Sequence, residues 1–490
     1  MSSPSTPATT PANAAGVPLI EAKSIDWVPA NERHGKLWHQ APLWFLGNFQ
    51  YFSIPIGFIG PSLGLSLGWT VIASILGIGV GTIFMAFHAS QGPTMGLPQL
   101  IQSRAQFGYR GVIVPLLATL FTYLAFNVAD TILLGEGLSS SFGWNATVIA
   151  VVATVAAAAL AIFGHDWLHK AFRILLYISL PIMIVLTIGV IAGGAHGSWD
   201  PSQYGFSWVA FMAQFAACAA YNITYAPYVS DYSRYLPTTT PARKVIAAVF
   251  FGASSSAIWL IVLGAWLAIA LGATDGLAGL QLAGNTIIPH LGDAAALLSA
   301  LALAATMGMN AYGGALTVLT TIDSVKPIKP KTPSRVITIL VLAVVWYAVA
   351  ATVSTGAVAT VFSALTLMLY VLVPWTATNL VDYFIVRRGH YAIADLFTPT
   401  GIYGAWGWRG LTAFGAGLLA EVPFMVLPTI GDWSYTGPMA ELLGGVDVAW
   451  LVGLVVTSVV YLLASRSLRG TEETPHAALT DPSAPVTDPA

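Results

Sequence analysis

The chain has 490 residues, of which 56% are hydrophobic and only 8% charged, with a formal net charge of −2. Soluble domains are about 25% charged, so this composition leaves too little polar surface for a water-soluble core and reads as an integral membrane protein in a lipid bilayer. No basic block is present, which argues against a nucleic-acid partner. The single cysteine, Cys218, cannot form an intrachain disulfide and reads as a small core residue.

In chain order, residues 1–40 read as a cytoplasmic tail whose Ser-, Pro-, Thr- and Ala-rich start is disordered and lacks the pattern of a cleaved signal peptide. Twelve apolar runs follow, near 41–65, 67–90, 111–138, 146–163, 171–193, 206–229, 243–272, 295–322, 334–353, 356–386, 410–429 and 447–464. Each is long enough to cross about 30 Å of hydrocarbon as a helix, and they are called spans 1 to 12 below. Residues 465–490 read as a second disordered cytoplasmic tail.

With the N-terminus in the cytoplasm of a cell whose plasma membrane holds the chain, all nineteen Lys and Arg residues fall in cytoplasmic segments. The opposite loops hold Asp200, Asp275, Asp293, Asp432, Glu441 and Asp447 instead. One missed span would scramble this pattern, so the positive-inside rule supports twelve spans with both termini cytoplasmic.

Two spans carry breaks. Span 1 holds Ser53-Ile54-Pro55-Ile56-Gly57, and span 6 holds Tyr221-Asn222-Ile223-Thr224-Tyr225-Ala226-Pro227. Proline removes a backbone donor, and irregular backbone at membrane depth is tolerated only where it lines a cavity. The breaks are five spans apart, which points to an inverted repeat with spans 1–5 (41–193) and 6–10 (206–386) as its halves and spans 11–12 (410–464) outside them.

Polar residues at depth mark the same spans. Tyr123, Asn127 and Asp130 share one face of span 3, with Glu136 further out. Asn310 and Tyr312 lie mid-way along span 8 beside Gly308, Gly313 and Gly314; Asn48 and Gln50 lie in span 1. Aromatic faces with amide edges suit a flat, neutral, hydrogen-bonding heterocycle. His165 and His169 have metal-like spacing without a third ligand, so no metal site and no cofactor is expected, and Glu421 stands in span 11 outside the repeats. An intramembrane enzyme would need a nucleophile–base pair or metal cluster at depth, and none is visible. A channel would more often line one continuous polar stripe.

Several stretches resemble the nucleobase–cation symporter-1 family of cytosine, purine, allantoin and hydantoin permeases. They are Asn31-Glu32-Arg33; Gly92-Pro93-Thr94-Met95-Gly96-Leu97-Pro98 with Ser103-Arg104-Ala105-Gln106-Phe107-Gly108; Tyr228 to Pro237; and Asn379 to Arg388 followed by Asp395-Leu396-Phe397. The resemblance covers about residues 25–465 and implies an all-α membrane protein with the leucine-transporter fold, a five-plus-five inverted repeat plus two extra helices. It implies a substrate site at Gln50, Tyr123, Asn127, Asn222 and Asn310. Family members often have a stacking tryptophan near position 222; with Asn222 there, Tyr221 or Phe215 is expected to stack instead. Sodium-coupled members offer two hydroxyls on helix 8, where this chain has Gly308 and Met309. That departure implies proton coupling through Asp130 or Glu136, and import of cytosine or a purine base, with an allantoin, hydantoin or uracil permease, or sodium coupling, as the alternative.

Overall fold

A computed structural model describes residues 26–195, 197, 201–326, 328, 332–353, 356–430 and 433–468. The outer parts of both expected tails, Lys23, Asp200, Lys329, Lys331, Asp432 and Arg469 lie outside the described residues, as do the side chains of His165 and His169.

Helices occupy every expected span. Span 1 is split into Gln40–Asn48, Ser53–Ile56 and Ile59–Ser62, and span 6 into Trp208–Ile223 and Ala226–Ser233. Spans 2 to 5 are Leu67–Ala89, Ile113–Phe142, Ala146–Phe163 and His165–Ile191, and spans 7 to 10 are Ala242–Ala270, Leu291–Val325, Thr332–Ala350 and Ala357–Val381. Among the described residues, eight helices are long and apolar enough to cross a membrane, spans 2–5 and 7–10. The broken spans 1 and 6, and the shorter spans 11 (Trp408–Glu421) and 12 (Ala449–Ala464), account for the rest.

Burial separates an inner from an outer layer. The most apolar stretches of spans 3, 8 and 10 are 67%, 72% and 67% buried, against 33%, 22% and 28% in spans 4, 5 and 9. The outer helices expose Val148, Val151, Val152 and Val155 of span 4 and Val341 and Val344 of span 9, as lipid-facing surfaces require. Span 8 packs against spans 3, 4 and 5, and span 2 against spans 6 and 7.

Three expectations need correction. The run 410–429 is not one helix: it ends at Glu421, turns at Val422–Phe424, and continues as strand Val426–Ile430 paired with Trp433–Thr436. Pro423 and Pro428 make a longer helix unfavourable. Residues 26–40 are not a tail; Val28 N–H donates to Gly96 O at 2.9 Å and the Arg33 side chain is buried under the loop after span 2. Between spans 7 and 8 an unforeseen helix, Gly276–Ile287, starts at Asp275, whose carboxylate accepts from Ala278 N at 2.8 Å.

Candidate functional site

The break in span 1 lies one turn earlier than the proline suggested. The helix stops at Asn48, the chain is irregular from Phe49 to Phe52, and Pro55 sits inside the next short turn. Side chains of the break itself satisfy its backbone. Gln50 Oε1 accepts from Phe52 N at 2.6 Å, and Ser53 Oγ donates to Asn48 O at 2.5 Å. In span 6 the helix pauses at Thr224 and Tyr225, where Thr224 Oγ1 donates to Tyr221 O at 2.6 Å and Pro227 opens the second half.

The two breaks meet through Tyr221. Its hydroxyl accepts from Gln50 Nε2 at 2.9 Å and shares a hydrogen bond with Ser53 Oγ at 2.9 Å. Its ring stacks on Phe52 with centroids 5.5 Å apart and planes 17° apart. Phe52 in turn meets Phe126 of span 3 edge-on at 5.2 Å.

A second polar group joins spans 3 and 8. Asn310 Nδ2 donates to Asn127 Oδ1 at 3.1 Å, and Asn127 Nδ2 donates to Met307 O at 3.2 Å. Asn310 Oδ1 is buried with its hydrogen-bonding capacity unused. The Tyr123 ring lies flat against span 8: a β-carbon at Gly313 would sit 2.7 Å from the Tyr123 hydroxyl and Cζ. Glycine at 313 is therefore what admits the ring. Asp130 stands about one turn beyond Asn127 on span 3. It is 1% exposed, its Oδ1 has no hydrogen-bond partner, and it lies near the hydroxyls of Tyr221, Tyr225 and Tyr228.

The structure thus brings together Gln50 with Tyr221, and Tyr123 with Asn127 and Asn310. The groups are linked by the Phe52–Phe126 contact and by Tyr123 against Tyr228 at 5.1 Å. Asn222 is turned elsewhere. Its Oδ1 accepts from Asn48 Nδ2 at 2.8 Å and its Nδ2 donates to Thr82 Oγ1 of span 2 at 2.6 Å, so its amide ties spans 1, 2 and 6 together. Phe215, the alternative stacking ring, packs on Trp450 of span 12 at 5.5 Å, away from this cluster. Glu136 is exposed, and its carboxylate accepts from Ala357 N at the start of span 10 at 3.1 Å. It lines an outer cleft of about 320 Å³ with Tyr51 and Asp275, whose side chains bond at 2.8 Å.

Sequence reasoning missed an aromatic ladder. Tyr221, Tyr225, Tyr228 and Tyr232 recur at helical spacing. Successive rings of the first three lie 5.8 and 5.5 Å apart, and Trp44 packs on Tyr225 at 5.7 Å and on Tyr232 at 5.5 Å. The period was legible; that span 1 supplies Trp44 opposite it was not.

The motifs behind the family resemblance converge elsewhere, on a collar at the end of the molecule that carries the basic residues. Arg33 Nη1 donates to Pro93 O at 2.6 Å, and Gly96, at φ +67°, leaves room for the guanidinium. Arg104 pairs with Asp323 at 2.8 Å and lies 4.2 Å over the Tyr109 ring. Asp382 accepts from Arg387, from Gln106 Nε2 at 2.6 Å, and from the hydroxyls of Tyr391 and Tyr461 at 2.8 Å each. Burial, with Asp382 beside it, pushes the Tyr391 hydroxyl above its ordinary value and keeps it a donor.

Broken helices meeting at a polar, aromatic midplane inside a lipid-facing ring define a membrane transporter. The family profile described as permease for cytosine/purines, uracil, thiamine, allantoin matches residues 27–453, and the chain belongs to that family. It is 36% identical over 455 residues to YxlA of Bacillus subtilis (strain 168), assigned by name to the purine-cytosine permeases, covering 91% of this chain and 96% of that one. It is 24% identical over 265 residues to the vitamin B6 transporter TPN1 of Saccharomyces cerevisiae, covering 51% of this chain and 45% of that one. Among solved structures it is similar in fold to Mhp1, a nucleobase-cation-symport-1 family transporter, in a closed conformation with bromovinylhydantoin bound. The TM-score is 0.69 at 18% identity, over 92% of this chain and 96% of that one. The fold is thus the leucine-transporter type expected.

Proposed function

We propose that this protein imports a nucleobase, cytosine or a purine such as adenine, guanine or hypoxanthine, across the plasma membrane in symport with a proton, with both termini in the cytoplasm. The observation that carries the reading is the midplane cluster of Tyr123, Asn127 and Asn310 facing Tyr221 and Gln50. It combines aromatic faces with amide edges and carries no fixed cation, which suits a flat, neutral, hydrogen-bonding ring. Asn222 supports the site by holding span 6 against spans 1 and 2.

Asp130 is the coupling group in this proposal, as a buried carboxyl with an unused oxygen beside the tyrosines. Glu136, in the outer cleft, receives the proton on entry. The α-carbon of Gly308 faces Ala157 and Leu160 of span 4, and Met309 offers a thioether, so span 8 has no hydroxyl pair at those positions for sodium. Residues 41–193 and 206–386 act as the two repeats, which rock around the site to give alternating access. The vitamin B6 relative and the family description keep a second reading in view, a permease for uracil, allantoin or another small heterocycle.

The test is uptake of labelled cytosine in cells lacking their own base permeases, with unlabelled bases, uracil, allantoin and hydantoin as competitors. Saturable uptake abolished by a protonophore and indifferent to sodium is the expected result. Accumulation driven by a sodium gradient and insensitive to the protonophore would overturn the coupling, and failure of every base to compete would overturn the substrate. Asp130→Asn is expected to abolish proton-driven accumulation; coupled uptake that survives it would exclude Asp130.

A further inference from the structure

The seam between spans 10, 11 and 12 lies apart from the midplane cluster and contains a carboxyl group with no role in the transport reading. Glu421 ends the span 11 helix, is 0% exposed, and has no hydrogen-bond partner for either carboxylate oxygen. A carboxylate so placed is strongly disfavoured unless a bound proton or a cation neutralises it. Among the described residues no ion pair involves it.

The surroundings supply oxygen rather than nitrogen. Span 12 makes room for the carboxyl with Gly453, where a β-carbon would lie 2.5 Å from the Glu421 carboxyl carbon. One turn along, Thr457 is 0% exposed, its hydroxyl also lacks a partner, and it points at Gly417, one turn before Glu421. Pro374 of span 10 reaches the same point, its Cβ 3.2 Å from where a Gly417 β-carbon would be. A proline inside a helix has no N–H to give one turn back, which frees the carbonyl of Tyr370. The Tyr370 hydroxyl accepts from Val426 N at 3.1 Å and donates to Asp447, which brings a second carboxyl group to this end of the seam. Hard cations prefer such oxygen donors. No cluster of three or more His, Cys, Asp or Glu is present among the described residues, which favours a single charge over a divalent metal.

We propose that this seam binds one sodium ion, held by the Glu421 carboxylate, the Thr457 hydroxyl and the Tyr370 carbonyl, with Asp447 adding negative charge from the acidic end. The ion clamps spans 11 and 12 to span 10 and is not the transported coupling ion. The argument is independent of the substrate, so its test needs none.

The test measures the Tm of the purified full chain in detergent at fixed ionic strength and pH, with choline exchanged stepwise for sodium. A saturable rise in Tm is expected in the native protein, absent in Glu421→Gln and displaced to at least tenfold higher sodium in Thr457→Val. Potassium at the same concentrations is expected to give a smaller rise. A rise retained unchanged in Glu421→Gln overturns the proposal by locating the ion elsewhere. A Tm indifferent to sodium, with a protonated-carboxyl infrared band that Glu421→Gln removes, overturns it in favour of a proton. Thr457→Val tests the site separately should Glu421→Gln fail to fold.

Discussion

The midplane cluster and the basic-end collar use buried polarity in opposite ways. In the collar, charges meet charges: Arg104 with Asp323, Arg387 with Asp382, each backed by neutral partners, Ser324 accepting from Arg104 and Gln106 and Tyr391 donating to Asp382. At the midplane the residues are amides, hydroxyls, rings and the lone carboxyl of Asp130, and several keep unused capacity, among them Asn310 Oδ1, Asp130 Oδ1 and the Tyr228 hydroxyl. A network anchored by ion pairs holds one geometry, whereas uncharged groups with spare hydrogen-bonding capacity can exchange partners. The collar thus holds helices together, and the midplane keeps the spare hydrogen-bonding capacity that the proposed ligand site requires.

The largest expected effect breaks the collar. Arg104→Ala leaves Asp323 buried without its partner and should cost about 3–5 kcal/mol of stability. Thermal unfolding in detergent measures it, and Arg104→Lys should recover only part, because lysine cannot also span Ser324 and the Leu396 carbonyl. Next comes Gly313→Val, whose β-carbon would collide with the Tyr123 ring. Ligand affinity should fall by about tenfold or more, at least 1.4 kcal/mol, with a smaller change in Tm.

Tyr221→Phe keeps the stack on Phe52 but leaves the Gln50 amide and Ser53 hydroxyl without that partner, at about 1–3 kcal/mol. Its cost should appear in substrate KM as well as in stability. Asn222→Ala sharpens the contrast from the other side: loss of its bonds to Asn48 and Thr82 should cost about 1–2 kcal/mol of stability, read as a lower Tm, with KM nearly unchanged. A large KM change with an unaltered Tm would return Asn222 to the ligand site. Glu136→Gln should have the smallest effect on stability, since its carboxylate is exposed and an amide oxygen can still accept from Ala357 N.

Features that depend on the chain's own chemistry are readable from the residues alone. Apolar length marked where the helices lie, and Pro55 and Pro227 marked the interrupted ones, because a missing N–H is a local property. Tyr123, Asn127 and Asn310 were legible for the same reason: polar groups at membrane depth stand out against apolar neighbours. Which partner each polar group takes depends on how the helices pack. Asn222 reads identically whether it faces a ligand or Thr82, and Phe215 identically whether it stacks on a ring or on Trp450. The motifs that identified the family proved to build the collar, since Arg33, Arg104 and Asp382 find partners 60, 219 and 276 residues away in sequence. Glu421 is the clearest case. Its isolation comes from Gly453 and Thr457 across an interhelical seam, a relation that no periodicity along one helix encodes.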